Sequence, residues 1–134
     1  MIIAEHDLLL VVAQVAGRSW MCAVGHAPHA LSGHRRLDSW WRKFGAMIDK
    51  YGGGMPIIAF IDANAAVGGL QSEAIGGHGQ EVETFAGSCF RSFLECKQLI
   101  APSTFQHWHV GPSPTWVHPT GPKVGRTLSA SAKT

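Results

Sequence analysis

PIIAFIDANAAVGG, residues 56–69, runs from a proline through an unbroken apolar stretch into an aspartate, an asparagine two positions on, and a pair of glycines. A short continuous apolar run, with Gly and Pro on one side and Asp on the other, reads as a buried central strand. Strand-terminal Asp62 is the anomaly. In α/β folds ligands gather where strands end, so a carboxylate there suits a cleft. If the chain stays extended, Asn64 projects to the same side as Asp62, and the two could hold a water and a phosphate oxygen. The alternative is an Asx turn opening the loop ahead of Gly68 and Gly69.

Upstream, the apolar residues Leu37, Trp40, Trp41, Phe44, Met47 and Ile48 fall on one helical face, and the helix should stop between residues 50 and 54, where three glycines follow Tyr51. Further upstream, LLLVVAQV and RSWMCAVGHA flank Ala16 and Gly17 and predict a hairpin. Downstream, a Gly-rich loop at residues 68–79 leads to a second helix over about residues 86–97, with Phe90, Phe93 and Leu94 on one face. STFQHWHV and PTWVH, around Gly-Pro-Ser-Pro, predict a final strand pair. The expected order is β-β-α-β-α-β-β. Residues from Arg126 onward are small, polar and without pattern, and read as a loose tail.

With 134 residues, 46% apolar and 15% charged, the chain has the composition of one globular domain rather than of a disordered segment. Net charge is only +2, but no carboxylate follows Glu95, whereas Lys97, Lys123, Arg126 and Lys133 do. That bias suits a polyanion such as nucleic acid, or an ordinary solvated surface. Cys22, Cys89 and Cys96 form no CxxC, which suggests neither a disulfide framework nor a zinc ribbon and fits reduced, intracellular thiols. LLLVVAQVA is too short to cross a bilayer and lacks the basic flank of a signal peptide, so no membrane partner is expected. GGLQSEAIGGHG lacks the Lys and Thr of a phosphate-binding loop, and no small-molecule cofactor is assigned.

Two further stretches carry chemistry. GHAPH, residues 25–29, closes the second hairpin strand and could bring His26 and His29 to the sheet edge that Asp62 occupies, as proton carriers or phosphate contacts. Cys22, His26 and His29 can also be read as a zinc set, although no second Cys/His pair has the spacing of one. His107, Trp108, His109, Thr115, Trp116 and His118 form an aromatic and imidazole cluster suited to stacking on a base, or to ordinary core and surface alternation.

The hairpin ending in GHAPH, the Trp-rich helix, PIIAFIDANAAVGG, GSCFRSFLECKQLIAPSTFQHW and PTWVHPTGPKVGR, in that order over residues 8–126, resemble the endonuclease/exonuclease/phosphatase superfamily. The likeness is nearest to the apurinic-type endonuclease domains of non-LTR retrotransposons. It implies an α/β (α+β) fold, an incomplete four-layer αββα two-sheet sandwich, over residues 8–126, with residues 127–134 as a disordered tail. It implies a Mg2+-dependent, phosphodiester-cleaving site acting on DNA or other nucleic acid. Asp62, Asn64 and His26 match the catalytic positions, and His29, Thr115, Trp116 and Arg126 match substrate-binding ones. Three family features have no match here: a metal-binding Glu upstream of the hairpin, an Asp just after the Arg, and a terminal Asp-His pair. Losing members of such a constellation costs orders of magnitude in rate. The expectation is therefore a fragment with little or no activity alone, or a catalytically dead nucleic-acid-binding remnant.

Overall fold

The computed structural model describes residues 1–109 and, beyond them, the strand backbones Trp116–Val117, Val124–Gly125 and Thr127–Ala132. It is a mixed α/β fold. Strands β1 (Ile2–Glu5), β2 (Leu8–Val15) and β3 (Arg18–His26) form an antiparallel meander, and helix α1 (His34–Gly52) carries the chain over to β4 (Ile57–Asp62), which pairs with β3 in parallel. Helix α2 (Phe85–Lys97) and the short strand β5 (Leu99–Ile100) follow. β6 (Trp116–Val117) and β7 (Val124–Gly125) pair with each other, and β8 (Thr127–Ala132) enters the main sheet. Among the described residues that sheet runs β1-β2-β3-β4-β8-β5.

The hairpin closes as its sequence predicts. Ala16 (φ 50°) and Gly17 (φ 76°) are both left-handed, the two-residue geometry that matches strand twist. Helix α1 buries the expected face, Leu37, Trp40, Trp41, Phe44, Met47 and Ile48, and stops at left-handed Gly53. It starts earlier than its apolar period shows, because the first turn, His34 to Arg36, is exposed. Thr84 caps α2 by accepting a hydrogen bond from the Gly87 N–H at 3.1 Å. The helices meet through rings, Trp41 against Phe90 (5.4 Å) and Phe93 (5.1 Å), and Phe44 stacked on Phe93 (5.2 Å). Lys97 of α2 binds Asp49 of α1 at 2.6 Å.

Three expectations are corrected. The stretch STFQHWHV does not form a strand through His109: Pro102–Thr104 is a 3-10 turn, and Phe105 and Trp108 donate to carbonyls three residues back, which leaves those donors no ladder to join. Residues 127–134 are not a loose tail throughout, since Thr127–Ala132 pairs with β4 on one side and β5 on the other. Ladder bonds are made by backbone groups, so small polar residues can fill such a place when neighbours exist on both sides. The edge strand β1 carries little sequence signal, because it is four residues long and only Ile3 is partly buried against the core while Ile2 is exposed.

Both helices lie on one face of the sheet. Leu8, Leu10, Met21, Ala23, Ala59 and Ile61 share one core with Trp40, Trp41, Phe44, Phe90 and Leu94. The alternate residues form the other face, which is also apolar: Val24 stands between Leu9 and Phe60, and Cys22 between Val11 and Ile58. Phe60 is 50% exposed, and Val24 and Ile58 are close to 40%. No helix among the described residues is long and apolar enough to cross a membrane.

Candidate functional site

The parallel register of β3 and β4 sets His26 beside Asp62 at the ends of both strands. The alternation that turns Ala59 and Ile61 to the helices turns Asp62, with Phe60, to the face away from them, and His26 follows Val24 in the same way. His26 Nε2 is 3.9 Å from Asp62 Oδ2, and both side chains are substantially exposed. That is too long for a hydrogen bond but suits one bridging water.

Backbone and side-chain bonds lock the two strand ends together. The Ala27 N–H donates to the Asp62 carbonyl at 2.8 Å. Asn64 Nδ2 donates to the Ala27 carbonyl at 2.7 Å, and the Asn64 N–H donates to Asp62 Oδ1 at 3.2 Å. Asn64 is left-handed (φ 46°), so the extended geometry in which Asp62 and Asn64 would project side by side does not occur. The Asx turn forms instead. It occupies Oδ1 of Asp62 and leaves Oδ2 turned toward His26.

His29 serves its own turn: its Nδ1 accepts from the Leu31 N–H at 3.3 Å at the start of the 3-10 turn Ala30–Ser32. This fixes the proton on Nε2 when the ring is neutral. Thr115 and Arg126 lie outside the described residues, as does the Trp116 side chain; the Trp116 backbone pairs with Gly125. His118 also lies outside them. Of the aromatic cluster, Trp108 packs with His107 at 4.6 Å and with Phe105 at 5.4 Å, while His109 meets His78 at 5.1 Å.

Two neighbours of the pair were not legible in the sequence. The His26 N–H donates to the Asp7 carbonyl at 3.0 Å, and Thr127 of β8 stands opposite Asp62 in the ladder. Both are long-range pairings that no local pattern announces. Beside them a cleft of about 600 Å³ opens between Asp7, Pro28 and the start of α1, with Arg35, Arg36, Trp40 and Lys43 in its walls. The triplet His34-Arg35-Arg36 was a visible signal, because cations in the first turn of a helix oppose its dipole.

Metal chemistry has few ligands here. Among the described residues no three His, Cys, Asp or Glu side chains are placed to share an ion. Cys22 and His26 are four residues apart on one strand, about 13 Å, which is too far to share a zinc. Magnesium takes near-octahedral oxygen ligands at about 2.0–2.1 Å, so Asp62 could supply one of them and the rest would be waters, substrate oxygens or groups beyond the described residues. The Cys89 thiol is not an activated nucleophile: burial, and then the nearby Asp38 carboxylate, push its pKa up. What the pair can do is orient a water between carboxylate and imidazole and take its proton.

No family model matches the chain, and no curated protein matches it in sequence.

Proposed function

We propose that this chain carries part of a phosphodiester-cleaving domain of the endonuclease/exonuclease/phosphatase type, nearest to the retrotransposon apurinic-type endonucleases, with little or no activity by itself. One observation carries the reading: His26 and Asp62 stand in register at the end of a sheet face whose apolar side chains Val24, Ile58 and Phe60 are exposed among the described residues. In a two-sheet sandwich that face would pack on a second sheet about 10 Å away, and the strand-end pair would lie at the rim of the seam. The parallel β3-α1-β4 unit and the order of motifs along the chain support the same reading.

In this reading Asp62 Oδ2 orients the attacking water and takes its proton, and His26 donates a hydrogen bond to a phosphate oxygen. The P–O bond to the leaving oxygen breaks as the new one forms, and that oxygen takes a proton from solvent. Asn64 positions Asp62 through the turn and holds β4 to β3. The magnesium that such chemistry uses to offset charge would need ligands beyond those described, and this is why the activity is expected to be low.

The test is nicking of supercoiled plasmid DNA by the chain and by Asp62→Ala, purified side by side. Slow nicking that requires magnesium and is lost in the variant is the expected result. Equal nicking by both proteins would assign the cleavage to a contaminant and overturn the reading. The small number of carboxylates near the strand ends among the described residues, Asp62 and Asp7, favours a second reading, binding without cleavage; salt-sensitive DNA binding with no nicking would select it.

A further inference from the structure

The cleft beside the strand-end pair is lined by two cations, Arg35 and Arg36, that have no ion-pair partner among the described residues. Most other basic side chains of the helices are committed: Arg42 to Asp38, Lys43 to Glu5, Arg91 to Glu83 and Lys97 to Asp49. His34 is held too, its ring stacked on Phe85 at 3.8 Å. Arg35 and Arg36 have no carboxylate within ion-pair distance among the described residues, and the first turn of α1 contains no acid. Two unopposed guanidinium groups next to a helix dipole of the same sign raise the energy of the free protein. A local rule broken without internal compensation marks a place where a ligand supplies it.

The geometry also selects the kind of anion. Consecutive residues on an α-helix point about 100° apart, so Arg35 and Arg36 cannot close as one fork on a single phosphate. Both nonetheless line the same cleft, whose other end is formed by Pro28 and Asp7, next to His26. A row of phosphates fits this arrangement better than one phosphate group does.

We propose that the cleft is a track for the phosphate backbone of DNA, with Arg35 and Arg36 contacting successive phosphates and leading the strand to the strand-end edge at which His26 and Asp62 stand. This rests on the phosphodiester reading above and adds the path by which the substrate reaches the site. The contacts are to backbone, so they position the strand without reading its sequence.

The experiment is fluorescence anisotropy of the whole chain with a labelled 20-mer, single-stranded and duplex, across a salt series. Compared are the parent, Arg35→Gln with Arg36→Gln, the same two positions as Lys, and Arg18→Gln at the hairpin end of β3. Each phosphate contact contributes about 0.7–0.9 to the slope of log affinity against log salt. The double Gln variant should lower that slope by about 1.4–1.8 and weaken binding at least tenfold at low salt; the double Lys variant should keep most of both, and Arg18→Gln should match the parent. If the double Gln variant binds with the parent's slope, or Arg18→Gln loses as much, the track is overturned while plasmid nicking still decides the phosphodiester reading. A parent that binds neither oligonucleotide overturns the track as well.

Discussion

Asn64 shows how one side chain serves two purposes at the strand end. Its left-handed φ suits Asn and Gly better than other residues, and its amide reaches a carbonyl 37 positions back in the chain. Asn64→Gly keeps the backbone at ease and loses the bond to Ala27, at a cost of about 1 kcal/mol in urea unfolding. Asn64→Ala loses the bond and adds about 1–2 kcal/mol of left-handed strain. Equal losses in the two variants would show that the φ angle carries no strain. The Asp-x-Asn spacing was legible and allowed either a turn or a site. The structure makes the turn with one carboxylate oxygen and leaves the other facing His26, a division that no spacing rule could reveal because the link through Ala27 is long-range.

At the scale of elements, α2 contains a glycine where propensity alone would prefer alanine. A Cβ at Gly87 would lie 2.0 Å from the Ala66 carbonyl oxygen, so the loop ahead of the helix lies against a bare backbone. In an open helix Gly→Ala gains up to about 1 kcal/mol. Here Gly87→Ala should instead lower the thermal midpoint, with a loss of about 1–3 kcal/mol from overpacking. Ser92→Ala, at an exposed site of the same helix, should be neutral or slightly stabilising. A stabilised Gly87→Ala would mean that the loop does not rest there. Elements with a buried stripe, β2 to β4 and both helices, were legible from their period. β1 and β8 were not, because one is exposed and the other is built of small residues held by backbone bonds. The 3-10 turn at Pro102 was missed because aromatic and β-branched residues nearby imitate a strand.

For the whole molecule, the two faces of the sheet differ in what they have to lose. Phe44→Ala, in the core under α1, should cost about 3–5 kcal/mol. Phe60→Ser, half exposed on the other face, should cost under about 1 kcal/mol and reduce light scattering of concentrated samples, since it interrupts an exposed apolar patch. A Phe60→Ser loss as large as that of Phe44→Ala would show that this face is covered in solution. The mixed α/β class was legible from the order of apolar periods. That one face of the sheet keeps apolar side chains exposed among the described residues was not, because alternation gives two apolar faces without saying what meets each.

The place of β8 also governs the order of assembly. It bridges β4 and β5, which do not pair with each other. While the chain is being made, the meander and its first helix can gather early, but β5 has no strand to join until residues near 130 have been added. The strand that unites the sheet is made after all the other described strands, so a growing chain must keep β4's free edge from other partners until then.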